Sequence, residues 1–194
     1  MVVNRDNYYI SMSLFDYILN IDLNLAQAIL YLRLPFWDQF FWRFTYLGHW
    51  LIILLIALIF SIFFYLKQKK YLIIPLFVSV LGSGAMTLII KYLVDRARPG
   101  ADIALYTESL ASFPSAHAAL IFSLLGFLAY CLWRSRFNLL LKIIFTTIFG
   151  AVIILVGFSR LYLGVHFASD VLAGYLVGLL WVLLVMYFSR RYFK

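Results

Sequence analysis

Residues 138–158 read NLLLKIIFTTIFGAVIILVGF, and Lys142 is the one charged residue in that stretch. A helix needs about 20 mostly apolar residues to cross the hydrocarbon of a bilayer. Backbone N–H and C=O groups find no water there, so only helices or closed barrels can cross it. The stretch therefore predicts a transmembrane helix.

Four more stretches have a similar length and composition. They cover roughly residues 49–66, 71–94, 116–133 and 168–188. Over the whole chain 65% of the residues are hydrophobic and 12% are charged, whereas soluble domains carry about 25% charged residues. The sequence predicts an all-α, polytopic transmembrane helical bundle with five or six spans.

The segment before these stretches is more polar. Residues 13–47 include Asp16, Asp22, Arg33, Asp38 and Arg43, and an aromatic cluster at 36–42 suits the headgroup level. We expect interfacial helices here, and a sixth span in this segment would move only the N-terminus. Since no linker rich in Ser, Gly or Pro divides the chain, we expect one membrane-embedded domain over residues 1–194. It would comprise an interfacial N-terminal segment, 1–47, and a catalytic helical core, 49–188.

The distribution of charge predicts the orientation. The net charge is +8, but the basic residues are scattered at the ends of apolar segments, so a nucleic-acid partner is not expected. On the side of the C-terminus the loops are basic and hold no acidic residue: Lys67, Lys69, Lys70, Arg134, Arg136, Lys142, Arg190, Arg191 and Lys194. The positive-inside rule then predicts a multi-pass protein of the cell membrane with a cytoplasmic C-terminus. The loops 95–115 and 159–167 would face the periplasm or exterior.

Most polar residues without an evident structural role fall in those two outer loops and the adjoining helix ends. The first group runs from Lys91 to Arg98 and ends at Pro99. Arginine suits bidentate binding of phosphate, and lysine supplies a point charge. The alternative is that Lys91 and Arg98 extend to the lipid headgroups as snorkelling side chains.

The second group is Phe113-Pro114-Ser115-Ala116-His117, at the predicted start of the third span. Backbone N–H groups at a helix start form an anion site, and His117 adds a titratable group beside it. The alternatives are that Ser115 is a plain helix cap and that His117 is satisfied by interfacial water.

The third group holds Arg160, His166 and Asp170. Asp170 follows His166 by four residues, a spacing that lets a carboxylate reach an imidazole on a helix. Such a pair can be structural, but an aspartate at the mouth of an apolar span is costly and indicates function.

Together the three groups combine cations, a helix start, a paired histidine and a second histidine, which are the components of a phosphoryl-transfer site. No metal is expected, because Lys91, Arg98 and Arg160 would repel a cation. No Gly-rich nucleotide loop is present, and no cofactor is expected.

The spacing of these groups resembles a known signature: Lys, six residues, Arg-Pro; Pro-Ser-x-His; and Ser-Arg, five residues, His, three residues, Asp. It is that of the superfamily of type 2 phosphatidic acid phosphatases and vanadium haloperoxidases. The match covers residues 91–170, and the stretch Ser159 to Gly178 is similar to small bacterial enzymes of the phosphatidylglycerophosphatase B type. Ala116 stands where the family has Gly, which leaves the backbone N–H unchanged.

The resemblance implies a role for each residue. His166 would attack phosphorus and form a phosphohistidine, Asp170 would orient its ring, and His117 would protonate the leaving oxygen and then activate water. The oxygens of the phosphate would be bound by Lys91, Arg98, Ser115, Ala116 and Arg160. His49 is given no catalytic role.

The expected substrate is a membrane lipid phosphate or diphosphate, because a site at the outer edge of the bilayer leaves the lipid tails in place. Tyr106, Phe113, Tyr162 and Phe167 are expected to border the site, or to serve as interfacial anchors. Candidates are phosphatidylglycerophosphate, undecaprenyl diphosphate and phosphatidate, and no obligate protein partner is expected. The alternatives are a lipid phosphotransferase and a phosphatase of soluble phosphoesters; a non-catalytic transporter would not need both histidines.

Overall fold

The computed structural model describes residues 14–189. This part of the chain forms α-helices joined by loops, of which loop 95–115 is the longest, and two of the connections contain a 3-10 turn, Tyr46–Gly48 and Lys70–Leu72. The helices are α1 (Leu14–Leu30), α2 (Pro35–Thr45), α3 (Trp50–Leu66), α4 (Ile73–Val94), α5 (Ala116–Trp133), α6 (Leu139–Tyr162) and α7 (Ala168–Ser189).

The five predicted spans correspond to α3 through α7, so the all-α helical bundle is confirmed. Helices α4, α5, α6 and α7 are each long and apolar enough to cross a membrane. Residues Pro35–Gly48 and Trp50–Leu66 pass the same test as a pair bent by 53°. Counting that pair as one broken span gives five, the lower of the two predicted numbers.

Helix α6 is longer than predicted at its C-terminal end. It begins after Asn138, whose side chain accepts a hydrogen bond from the Leu141 N–H at 2.9 Å. It then continues past residue 158 to Tyr162, because Ser159 and Arg160 are buried among polar partners and need not turn toward water. Arg160 therefore lies in the last turn of a helix, whereas the sequence placed it in a loop.

As far as it is described, the N-terminal segment is helical and forms α1 and α2, in the region where interfacial helices were expected; residue 13 and those before it lie outside the described range. Within the described residues α1 covers 17 residues and α2 covers 11, both fewer than the about 20 that a span needs. Both pack against α6, and α1 also packs against α7.

Helix α5 occupies the centre of the bundle and packs against α3, α4, α6 and α7. Its contact with α7 is close because of two glycines. A Cβ on Gly174 would lie 2.5 Å from the Ser115 carbonyl oxygen, and one on Gly178 would lie 2.7 Å from the Ala119 oxygen. The close approach brings the starts of α5 and α7 together, and the Ser115 N–H donates to the Asp170 carbonyl at 2.9 Å.

The C-terminal ends of α4 and α6 lie at the same end of the bundle as these two helix starts. Loop 95–115 closes over that end, and the Leu105 N–H donates to the Leu163 carbonyl at 3.0 Å. The basic loops after α3 and α5 lie at the opposite end of the bundle. Arg190, Arg191 and Lys194 lie outside the described residues.

Candidate active site

The predicted nucleophile, His166, lies in the loop between α6 and α7. Gly164 makes this loop possible: its φ is +70°, and a Cβ there would collide with the Ile103 carbonyl. Asp170 is in the first turn of α7, and its Oδ2 lies 3.4 Å from His166 Nδ1. The four-residue spacing therefore brings the two side chains together as predicted.

Asp170 is completely buried, and its Oδ2 has two further donors. The Phe167 N–H donates to it at 2.9 Å, and the Ser112 hydroxyl donates at 2.5 Å. Because a buried carboxyl group is stable only when it is paired and hydrogen-bonded, these donors stabilise Asp170 and fix its orientation beside His166.

The neighbour on the other side of the ring indicates the tautomer of His166. Arg98 Nη1 lies 3.2 Å from Nε2, and a guanidinium has only donors. Nε2 therefore accepts, and the proton of the neutral ring is on Nδ1, toward Asp170. Burial lowers the pKa of His166 well below 6.5, and the charges of Arg160, Arg98 and Lys91 lower it further. The ring is neutral near pH 7, with a lone pair on Nε2.

Lys91 and Arg98 turn inward. Lys91 is 5% exposed, and its ammonium donates to the carbonyls of Ala111 and, at 3.2 Å, Ser112. Arg98 Nε donates to the Leu110 carbonyl at 2.8 Å, and Nη1 to the Val165 carbonyl at 2.6 Å. Both side chains are tied to the loops around His166, and neither extends to the headgroups as the snorkelling alternative would require.

Arg160 is fully buried in the last turn of α6. Its Nη1 donates to Thr45 Oγ1 at 2.9 Å and to the Tyr106 hydroxyl at 2.6 Å, and its Nη2 contacts Glu108 Oε1. Among the described residues, its Nε has no hydrogen-bond partner.

Glu108 joins two of the predicted phosphate-binding arginines. Its Oε2 lies 2.7 Å from Arg98 Nη2, and its Oε1 contacts Arg160 Nη2. Burial acts to raise the pKa of Glu108, but the two guanidinium groups outweigh burial and lower the pKa to about 2. An anionic group thus lies between the two guanidiniums that were predicted to bind phosphate.

The start of α5 presents Ser115, Ala116 and His117. Ser115 is the N-terminal cap residue by position, but its side chain makes no capping bond. Its hydroxyl is buried and has no partner within residues 14–189, so Ser115 does not cap α5 through its side chain. The first N–H groups of a helix have no intrahelical acceptor, and together with this hydroxyl they form a set of unused donors.

These groups surround one cavity of about 780 Å³. Its lining includes five of the predicted residues: Lys91, Arg98, Ala116, His117 and His166. Ser115, Asp170 and Arg160 adjoin this lining through the contacts above. Its other lining residues include Glu108 and an aromatic wall that we define as Trp42, Tyr46, His49 and Trp50. The His49 and His117 rings are 6.1 Å apart.

The predicted aromatic border is wrong in three of its four members. Tyr106 lines the cavity. Tyr162 is buried instead, and its hydroxyl donates to Asp38 at 3.0 Å. The Phe167 ring packs under the Arg96 guanidinium at 4.5 Å, and Phe113 is not part of the lining. Closeness to His166 in the sequence does not determine the direction of a side chain, and the bend between α2 and α3 supplies the aromatic wall instead.

Several residues around the site were not assigned to it from the sequence, namely Glu108, Ser112, Thr45, Arg96 and Asp22. Each lies outside the three motif groups or between their key positions, and their contacts depend on how the loops and α1 fold over the site. Within the described part of the chain, no three His, Cys, Asp or Glu side chains are arranged to hold a metal ion.

Comparison with known proteins places the chain in a family. The family model described as the PAP2 superfamily matches residues 71–194. Phosphatidylglycerophosphatase B of Bacillus subtilis is 34% identical over 175 residues, which cover 88% of this chain and 84% of that protein. Lipid A 4'-phosphatase of Porphyromonas gingivalis is 29% identical over 177 residues, which cover 85% of this chain and 71% of the relative.

Two solved structures share the fold. The crystal structure of a transmembrane PAP2 type phosphatidylglycerolphosphate phosphatase from Bacillus subtilis matches with a TM-score of 0.84 at 29% identity, covering 91% of this chain and 88% of that one. The crystal structure of Aquifex aeolicus LpxE matches with a TM-score of 0.70 at 25% identity, covering 96% of this chain and 99% of that one.

Proposed function

Because this chain belongs to the PAP2 superfamily, we propose that it removes phosphate from a lipid phosphate or diphosphate through a phosphohistidine on His166. One observation carries the proposal above all. His166 lines the cavity, its Nδ1 lies 3.4 Å from the Asp170 carboxylate, and its Nε2 lies 3.2 Å from Nη1 of Arg98, a predicted phosphate ligand. This is the arrangement that an imidazole nucleophile needs.

In the first step the Arg98 guanidinium turns from His166 Nε2 to the substrate phosphate, the released Nε2 lone pair forms a bond to phosphorus, and the bond from phosphorus to the lipid oxygen breaks. His117, on the cavity lining, gives a proton to that oxygen. The phosphorylated ring carries a positive charge, and the Asp170 carboxylate stabilises it through the Nδ1 proton.

In the second step water attacks the phosphorus. His117, now neutral, takes a proton from the water, the N–P bond breaks, and inorganic phosphate leaves with His166 neutral again. His117 returns to its protonated state, so the cycle closes without a net change in the enzyme.

Lys91, Arg98 and Arg160 would neutralise the phosphate oxygens, with the Ser115 hydroxyl and the Ala116 N–H as further donors. We propose that the substrate phosphate takes the place of the Glu108 carboxylate between Arg98 and Arg160. These cations supply the charge stabilisation that a divalent ion supplies in other phosphatases, so the reaction would need no metal.

A lipid substrate is supported by the aromatic wall and by the relatives. Trp42, Tyr46 and Trp50 give one side of the cavity an amphipathic surface of the kind that lies at headgroup level. The curated relatives are named for phosphatidylglycerophosphate and lipid A as substrates. Phosphatidylglycerophosphate, undecaprenyl diphosphate and phosphatidate are our candidates. With basic loops at the opposite end of the bundle, we propose that the cavity faces the periplasm or exterior and the C-terminus the cytoplasm.

A panel assay tests the proposal. The purified protein in lipid vesicles is incubated with each candidate lipid and with soluble phosphoesters, and both free phosphate and phosphorylated lipid products are measured. We expect free phosphate from at least one lipid at a higher kcat/KM than from any soluble ester. Transfer of the phosphate to a second lipid would identify a lipid phosphotransferase. Preference for the soluble esters would identify a phosphatase of soluble phosphoesters.

A further inference from the structure

The Asp170 carboxylate is also held through its other oxygen, by contacts that the mechanism above does not use. Oδ2 faces His166, while Oδ1 accepts from Arg96 Nη1 at 2.7 Å. The second nitrogen of Arg96, Nη2, lies 2.8 Å from Asp22 Oδ2. Asp22 belongs to α1, so an ion-pair chain runs from the N-terminal helix to the catalytic carboxylate.

Arg96 also fixes the Oδ2 side of Asp170. Its backbone carbonyl accepts from the Ser112 N–H at 2.7 Å, and the Ser112 hydroxyl donates to Asp170 Oδ2 at 2.5 Å. One residue thus holds both oxygens of the carboxylate: its guanidinium holds Oδ1 directly, and its backbone holds the serine that binds Oδ2.

Asp22 is 2% exposed and is attached to the start of α7. The Ser169 N–H donates to Asp22 Oδ1 at 3.0 Å, and the Ser169 hydroxyl donates to Oδ2 at 2.5 Å. A buried carboxylate without partners costs several kcal/mol, so these contacts fix Asp22 as well as Ser169. Helix α1 is therefore attached to the residue next to Asp170.

The charges along the ion-pair chain from Asp22 through Arg96 to Asp170 alternate in sign. Arg96 alone would compete with the phosphorylated His166 ring for the negative charge of Asp170, since opposite charges attract strongly in a poorly solvated site. Asp22 shares the guanidinium and leaves part of that negative charge for the ring. The guanidinium is also stacked on Phe167, at 4.5 Å from its centroid, so its planar fork has one orientation that a lysine could not reproduce.

We propose that Asp22 and Arg96 are positioning residues: they hold the Asp170 carboxylate with Oδ2 toward His166, and they make α1 a component of the active site. Neither lines the cavity, so both act through Asp170 and not on the substrate. The inference rests on the proposed function of His166 and Asp170.

The test uses the full chain in lipid vesicles and the lipid phosphate that gives the most turnover. Arg96→Gln and Asp22→Asn should each lower kcat by up to about 100-fold, the cost of a small misplacement of a catalytic group, and leave KM nearly unchanged. Arg96→Lys should restore only part of the loss. Asp38→Asn is the matched control, since Asp38 also ties an N-terminal helix to the core, through the Tyr162 hydroxyl, but does not reach Asp170; it should keep the wild-type kcat.

A double-mutant cycle separates positioning from a general loss of structure. If Arg96 and Asp22 act through Asp170, their substitutions should cost little more in an Asp170→Asn background. Residual turnover of Asp170→Asn is measured at high enzyme concentration over long incubations. The same factor lost in both backgrounds would overturn the proposal, as would wild-type kcat in both single variants. Wild-type turnover in His166→Ala would instead contradict the proposed function itself, whereas the cycle needs only the residual turnover of Asp170→Asn.

Discussion

The Ser112 hydroxyl lies 2.5 Å from Asp170 Oδ2 and 3.4 Å from His166 Nδ1. It is fully buried, and the His166 ring proton and the serine hydroxyl meet at the same carboxylate oxygen. Ser112 is therefore placed to fix the distance between the proposed nucleophile and the carboxylate that orients it.

Ser112→Ala should lower kcat by roughly 10- to 100-fold, because a hydrogen bond to a charged group contributes about 1.5–3 kcal/mol. KM should change little, since the hydroxyl does not line the cavity. Ser83→Ala is the control: its hydroxyl is also buried and bonds Ser123 Oγ at 2.9 Å, but in the core between α4 and α5. A normal kcat in Ser112→Ala, measured by steady-state release of phosphate, would show that Ser112 does not position Asp170 for catalysis.

The pH dependence of kcat/KM should reflect the lowered pKa of His166. Burial is the main cause, and nearby cations add to it. A group with a lowered pKa stays deprotonated as the pH falls through 6.5, its ordinary value, so the nucleophile is lost only at lower pH. We expect the acid limb of kcat/KM below pH 6.5, after correction for the second ionisation of the substrate phosphate near pH 6.

The pKa of the substrate phosphate, which this correction needs, is measured by phosphorus NMR of the lipid alone over the same pH range. An enzyme-derived acid limb above pH 6.5 would show that His166 is not held neutral by its surroundings. The profile of the free enzyme is the appropriate one because kcat/KM reports on groups before the substrate binds.

Turnover should persist in excess EDTA, because Lys91, Arg98 and Arg160 bring three positive charges to the phosphate site. Vanadate, which adopts a five-coordinate geometry like that of the phosphorus in transfer, should inhibit competitively. Phosphate release is measured after dialysis against chelator, with and without added Mg²⁺ or Zn²⁺. Loss of activity in chelator and its recovery with either ion would contradict the roles proposed for these three residues.

The variant Asp102→Cys, in the loop that covers the cavity, should react with an impermeant thiol reagent in intact cells. The background is Cys131→Ser, since Cys131 is the single cysteine of the chain. Arg136→Cys, in a basic loop at the opposite end of the bundle, should react only after the cells are permeabilised. The reverse pattern would invert the proposed orientation, and the measurement is mass-tagged electrophoresis.

The sequence was sufficient to predict the helical spans and to place most of the motif residues together at one end of the bundle. Continuous apolar runs have few alternatives in a bilayer, and α3 to α7 follow them closely. The motif residues His117, His166 and Asp170 sit at the ends of those helices, so the predicted bundle brings them to one end. Their spacing within each motif then determines which side chains can meet.

The remaining contacts depend on tertiary structure that local patterns do not specify. Glu108 reaches Arg160 across 52 residues, and Asp22 reaches Ser169 across 147. Neither acidic residue lies in a repeat or a periodic pattern that points to its partner. His49 was given no catalytic role from the sequence, but the 53° bend between the α2 and α3 segments places its ring 6.1 Å from that of His117.

The most direct test of the proposed phosphohistidine on His166 is rapid-quench trapping of labelled phosphate on the protein during turnover of a labelled lipid phosphate. The wild type should carry acid-labile, base-stable label on His166, and His166→Ala should carry none. His117→Ala should still form the phosphoenzyme, most readily from an activated aryl phosphate whose leaving group needs no proton, and should hydrolyse it slowly. Label that persists in His166→Ala and disappears in His117→Ala would contradict the assignment of the nucleophile.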